Sequence, residues 1–135
     1  MALDPVKKSR LVDTDVLSFV IKGDTRARSY AAHLEGRVLL VCFVTVAELY
    51  RWALVRRWGE PRIEELRQRL AQYVLLSYSD AIAWEWARVT SLRGQPVAPG
   101  DGWIAAAALA HGVSLVTHNR RHFEHIPGLD VISEA

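Results

Sequence analysis

The sequence predicts an α/β fold built on a parallel sheet. Three observations carry that expectation. Short apolar runs alternate along the chain with longer stretches whose apolar residues recur at spacings of three and four. A helix-sized pattern separates each run from the next, as crossovers between parallel strands require. The first run stops at a carboxylate, Asp13, where a helical pattern begins, and the edge at which strands give way to helices usually houses ligands in such sheets.

Taken in order, the first strand is expected over 9–13. A short helix follows through Val16, Leu17, Val20 and Ile21, closing at Lys22-Gly23. Asp24-Thr25 can cap a second helix over 26–35, ended by Gly36. The run from Val38 to Phe43 is continuously apolar, the pattern of a strand buried on both faces. Thr45 is expected to open a long helix through Trp58, with Gly59 as its stop, apolar nearly all round at first and basic at Arg56 and Arg57. A helix over 61–72 has Pro61 at its start and an apolar stripe of Ile63, Leu66 and Leu70. A third strand over 73–77 and a helix from Asp80 through 92 come next. The segment 94–100, with two glycines and two prolines, is the clearest loop. Asp101 then opens an Ala-rich helix to His111. The fourth strand is expected over 113–117, a loop with one helical turn over 118–125, and a fifth, edge strand over 129–132.

A chain of 135 residues suffices for one domain with a sizeable core, expected here over 1–135. Half the residues are hydrophobic and 24% are charged, as in soluble globular proteins. No apolar run has the length of a membrane span. The basic pair Lys7-Lys8 has no apolar stretch behind it, so no secretory signal is expected. Cys42 is the only cysteine, which excludes an intrachain disulfide and a cysteine-based zinc site. A cytoplasmic location is the simple reading. The net charge is only +2, yet 14 of the 17 basic residues are arginine, the side chain suited to planar contacts with phosphate. Gathering several acids in one pocket would leave a basic surround, an arrangement that suits a polyanion.

Parallel topology brings distant carboxylates together. Helices that follow or precede strands start at the strands' C-terminal edge. Asp13, Glu48, Asp101 and the segment Thr117-His118-Asn119 are therefore expected on one rim. Each has a plainer role open to it. Asp13 and Asp101 are good N-caps, and Thr45-Val46-Ala47-Glu48 fits a capping box in which Glu48 bonds back to Thr45. Thr117 either holds a ligand in place or ends its strand. Three carboxylates on one rim are costly unless protons or cations neutralise them. Hard cations with oxygen ligands, Mg²⁺ or Mn²⁺, do so, and a metal site inside a basic surround suggests phosphodiester hydrolysis.

The motifs also resemble a family. Leu11 through Ser18 (LVDTDVLS) resembles the opening motif of PIN domains, most closely the VapC toxins of bacterial toxin–antitoxin pairs. Thr45-Val46-Ala47-Glu48-Leu49 resembles the second motif, and Pro99 through Gly112 the third. Leu115 through Phe123, followed by Ile126-Pro127-Gly128-Leu129, is similar to the fourth. The resemblance implies a PIN-like three-layer fold with a central parallel sheet of four to five strands flanked by helices. It implies a metal-dependent endoribonuclease, inhibited by a cognate antitoxin and commonly dimeric, with Asp13, Glu48 and Asp101 as metal ligands. Where many relatives place a further acid, this chain has Asn119. Asp15 matches a position that is Asn in many relatives and is secondary.

Two other functions fit parts of the pattern. Asp13-Thr14-Asp15 after a strand is the arrangement of a haloacid-dehalogenase-like phosphatase, but no suitable lysine follows it. A PIN-like scaffold that has lost catalysis would keep the fold without its acids. His118, His122 and His125 read as loop residues rather than zinc ligands. The tryptophans at 52, 58, 84, 86 and 103 read as core or interface. The apolar and basic ground along 50–57 is where a partner protein is expected. One divalent cation is expected to bind firmly without RNA, and a second weakly.

Overall fold

The structure, a computed structural model, describes residues 8–135. Most of the stretch from which no secretory signal is expected lies outside the described residues. Five strands, β1 (Ser9–Val12), β2 (Val38–Cys42), β3 (Val74–Leu76), β4 (Ser114–Val116) and β5 (Val131–Ile132), form one sheet in the order β3-β2-β1-β4-β5. Every pairing is parallel.

The helices are α1 (Thr14–Lys22), α2 (Ala27–Leu34), α3 (Phe43–Val55), α4 (Glu60–Leu70), α5 (Asp80–Thr90), α6 (Pro99–His111) and the single turn α7 (Arg120–Phe123). They cover both faces of the sheet, and the period of two along each strand explains why. Leu11, Leu40, Cys42 and Leu115 point to one side, where Ile82, Val89 and the alanines 105–108 meet them from α5 and α6. Their neighbours Val12, Val41 and Val116 point to the other side, against Val16, Leu17, Tyr30, Leu49 and Leu66 from α1 to α4. The result is the expected three-layer sandwich.

Several boundaries differ from expectation for identifiable reasons. Helix α3 begins at Phe43, because Phe43 and Val44 are drawn into the core beneath α6. It ends at Val55 rather than Trp58, because Arg57 turns left-handed at φ 56. Helix α6 begins at Pro99, its preset φ serving the first helical position. Val38 is 44% exposed, so only the second half of β2 is buried on both faces. Gly102 sets how close α6 comes to α5. A Cβ there would lie 2.8 Å from Thr90 Cγ2 and 3.2 Å from Trp86. Trp86 stacks on Trp103 at 4.7 Å and donates from Nε1 to the Pro99 carbonyl at 3.2 Å. These contacts fix the first turn of α6, which carries Asp101.

Candidate active site

The chain runs from β1 outward through β2 to β3, then crosses back to place β4 on the other side of β1. The sheet therefore changes direction between β1 and β4, and a crevice opens beyond their C-terminal ends. Asp13 sits there. Its backbone N–H donates to the Val116 carbonyl at 2.9 Å, which extends the β1–β4 pairing by one bond. Its carboxylate accepts from Thr14 N at 2.7 Å and from Thr117 Oγ1 at 2.6 Å. Asp13 is the N-cap of α1 and also lines the crevice, so its two readings coexist.

Thr117 is fully buried; besides donating to Asp13, its hydroxyl accepts from Asn119 N at 3.0 Å. Asp15, in the first turn of α1, accepts from Val16 N at 2.7 Å and His118 N at 3.0 Å. It thus ties α1 to the turn after β4. That turn is braced from behind by Tyr30, whose hydroxyl lies 2.6 Å from His118 Nδ1 and also accepts from Glu134 N at 3.1 Å.

The opposite wall is built by helices. Thr45 lies in the third position of α3 rather than at its N-cap, and the expected capping box does not form. Instead the Thr14 hydroxyl donates to Glu48 Oε1 at 3.1 Å and lies 2.9 Å from the Thr45 hydroxyl. With Thr14's proton directed at Glu48, Thr45 is the donor in that pair. The Glu48 residue is exposed to solvent, although the cavity wall shields part of its carboxylate. Asp101 is not an N-cap either: Ala98 holds that position. Asp101 Oδ2 lies 3.0 Å from His122 Nδ1 on α7. Asn119 stands exposed at the rim.

These side chains share one cavity of about 460 Å³, lined by Asp13, Asp15, Glu48, Asp101 and Asn119 and, on the α3 side, by Arg51, Trp52 and Arg56. Burial, reinforced by the Asp15 carboxylate, pushes Asp13 up to about 8. Asp15 is also raised above its ordinary value, chiefly by burial, and Glu48 is raised too, by the partial desolvation of its carboxylate against the cavity wall. A positive charge placed among them would bring all three down. The donors are oxygens, which suits a hard cation. Among the described residues, no three His, Cys, Asp or Glu side chains form a ready-made cage for an ion. The set therefore fits an ion that completes its shell with waters, as Mg²⁺ does.

The other expectations can be placed too. Among the described residues no lysine lines the cavity, and Asp15 is engaged by two backbone N–H groups, so the phosphatase arrangement is not assembled there. The histidines do lie after β4, but His122 reaches Asp101 and His118 reaches Tyr30. Sequence reasoning gave no site role to Thr14 or Tyr30, placed His122 only in a loop near RNA, and gave Thr45 only a capping role. Thr14 had a signal, a hydroxyl flanked by two acids. Tyr30 had none, being 88 residues from its partner.

The PIN domain family model matches residues 10–129. Ribonuclease VapC1 of Haemophilus influenzae (strain R2866) is 27% identical over 124 residues, covering 88% of this chain and 92% of that protein. The tRNA(fMet)-specific endonuclease VapC of Shigella flexneri is 27% identical over 122 residues, with the same coverage. Among solved structures, the DNA-bound VapBC of Salmonella typhimurium superposes with a TM-score of 0.79 at 26% identity, over 93% of this chain and 97% of that one. VapBC2 of Rickettsia felis, bound to a DNA fragment from its promoter, gives a TM-score of 0.80 at 18% identity, over 94% and 99%, which speaks to the fold. With four ordered motifs, a 3-2-1-4-5 parallel sheet and a match that spans nearly its whole length, the chain belongs to the PIN domain family.

Proposed function

We propose that this protein is a metal-dependent endoribonuclease, the toxin of a toxin–antitoxin pair, formed by one PIN-like domain over 1–135. The observation that carries the reading is the cavity at the switch point, where Asp13, held by Thr117, shares one space with Glu48 and Asp101. Relatives named as VapC ribonucleases and a neighbour solved as a VapBC complex support the activity and the antitoxin partner. No helix among the described residues is long and apolar enough to cross a membrane, and we assign the protein to the cytoplasm. Leu54 and Val55, 65% and 67% exposed at the end of α3, mark the ground for the antitoxin. A homodimer is the assembly we expect.

Asp13, Glu48 and Asp101 would hold Mg²⁺ or Mn²⁺, which supplies Lewis-acid activation of water and of the scissile phosphate when bound. The chain's own groups do the rest. Thr117 and the Thr14 N–H hold Asp13 in one orientation. Thr14 aims Glu48 into the cavity. Arg51 and Arg56 draw the anionic backbone toward it. The Asn119 carboxamide orients a water without adding charge. Asp15 acts through position: it fixes the turn that carries Thr117 and Asn119.

The deciding experiment incubates the purified protein with total RNA, tRNA and rRNA fragments in Mg²⁺, Mn²⁺ or EDTA and maps the cut sites. Discrete internal cuts that vanish in EDTA are expected. Intact RNA under every metal condition would refute the reading.

A further inference from the structure

Beside the acidic cavity the surface changes character. Lys22, at the end of α1, brings its Nζ to 4.5 Å from the centroid of the Trp52 ring. The Arg56 guanidinium lies 4.6 Å from the same ring. Trp58 meets Trp52 edge-on at 4.8 Å, and Arg62, on α4, lies 3.9 Å from the Trp58 ring. The sequence therefore seats three cations on two touching indoles. None of the three has a carboxylate within ion-pairing distance among the described residues. Arg67 and Arg88, by contrast, each face a glutamate on their own helix.

An aromatic seat differs from an ion pair in what it leaves available. The ring face attracts the cation and restricts its motion, but it neutralises no charge. Lys22 and Arg56 thus both sit against the Trp52 ring with their charges still available to an anion. Arg56 also lines the acidic cavity, so the row of cations starts where the scissile phosphate would lie and leads away from it. The rings themselves are occupied by their cations, which leaves the charges, rather than the indoles, to receive a ligand.

We propose that Lys22, Arg56 and Arg62, seated on Trp52 and Trp58, form a phosphate track for single-stranded RNA leading away from the cleavage cavity. This rests on the endoribonuclease reading and extends it to how substrate is held. The chemistry recognised is the phosphodiester backbone, so the track adds affinity and little sequence preference. The three cations are exposed, and their loss costs little stability.

The test uses the full-length protein and a fluorescein-labelled single-stranded RNA of roughly 20 nucleotides, long enough to span the cavity and the track. Binding is followed by anisotropy in EDTA, which needs no turnover, across a salt series. Removing one cation that neutralises a phosphate should flatten the slope of log affinity against log salt by about 0.7, hence by about 2 in the triple variant Lys22→Gln/Arg56→Gln/Arg62→Gln. In cleavage assays the same variant should raise KM by about tenfold on the long RNA and less on a short oligonucleotide confined to the cavity. Arg88→Gln, on the opposite face of the sheet, is the control and should leave the slope as it is. A triple variant that melts like the parent and keeps its slope and KM would overturn the track. So would one that keeps both and instead loses a co-purifying protein partner, because the cations would then serve that partner. If the parent binds RNA with the expected slope change but never cuts it, the nuclease reading fails and the track stands.

Discussion

Asp13 accepts two hydrogen bonds and is 4% exposed, whereas Glu48, across the same cavity, accepts one and stands open to solvent. The difference follows from what carries each residue. Asp13 extends a strand by one backbone bond, so the sheet itself sets its position. Its partner Thr117 comes off the neighbouring strand in register with it. Glu48 and Asp101 project from helices, and each is located by a single side-chain contact, with Thr14 and with His122. One wall is fixed before any ligand arrives, and the other has freedom to adjust. Closing on a metal ion and a long flexible RNA, as proposed, would use both.

The sharpest way to break this comparison is to remove the carboxylates one at a time. Asp13→Asn, Glu48→Gln and Asp101→Asn should each reduce RNA cleavage by more than about 100-fold, with double variants little worse than singles if, as proposed, the three act as a unit. Their stabilities should differ. Asp13→Asn removes a buried acid pressed by Asp15, so the metal-free variant is expected to melt no lower than the parent. The exposed Glu48→Gln should change melting little. Near-parental turnover for any single variant at saturating metal would remove that residue from the site.

The next effect is on pH. Asp13 is raised from 3.8 to about 8 in the folded chain, and Asp15 and Glu48 move in the same direction. A raised carboxylate means that the unfolded chain releases its proton first. The metal-free protein should therefore be most stable below about pH 4 with respect to these groups, losing that contribution as pH rises toward about 8. Thermal melts in EDTA between those limits should show the decline, and Asp13→Asn should remove the largest part of it. Saturating Mg²⁺ should reverse the trend, because the ion binds the ionised forms. Flat melts in EDTA would argue that Asp13 is ionised throughout.

Thr117→Val tests the fixed wall with less damage. The substitution keeps the shape and deletes one donor to Asp13 and one acceptor for the Asn119 N–H. A loss of about 1–3 kcal/mol is expected from the polar groups left unpaired. Cleavage should fall by about 10- to 100-fold, the effect expected if Asp13 ligates the proposed metal and Thr117 orients it. Calorimetry with Mn²⁺ should show the loss as weaker metal binding. The parent is expected to hold one ion firmly and a second only with RNA. Two tightly held ions in the parent would mean that Asn119, in place of an acid, is no handicap.

How far the sequence foretold this arrangement depends on the range of the interactions. The strands were legible to within a residue or two, since each apolar run is bounded by polar or turn residues. The convergence of Asp13, Glu48 and Asp101 followed from topology alone, because parallel strands send every helix start to one edge. The local caps did not follow. Thr45 and Glu48 have the spacing of a capping box, yet burial of Phe43 and Val44 starts the helix two residues early and frees both side chains to meet Thr14. The Asp101–His122 and Tyr30–His118 contacts span 21 and 88 residues and leave no local trace. Tertiary packing decided these points over propensity.

The smallest expected effect sharpens the contrast at the far end of the adaptable wall. Helix α3 closes with Trp58 N donating to the Ala53 carbonyl at 3.1 Å and Arg57 N to the Leu54 carbonyl at 3.0 Å. This is the paired-bond closure that usually places glycine in the left-handed position, and here Arg57 occupies it with φ 56. A side chain there costs about 1 kcal/mol. Nothing in the sequence marks Arg57 as the stop, since Gly59 stands two residues on and draws the expectation to itself. The strained turn sends the chain back into α4 and sets Trp58 against Trp52. Arg57→Gly should relieve the strain and raise stability by about 0.5–1 kcal/mol, offset in part by the greater freedom of glycine in the unfolded chain. For a domain of this size that is a rise in Tm of about 1–4 °C. Arg57→Val, β-branched in the same conformation, should lower it. If glycine lowers Tm, the side chain contributes more than its strained backbone costs, and the end of α3 is held in place by Arg57 rather than in spite of it.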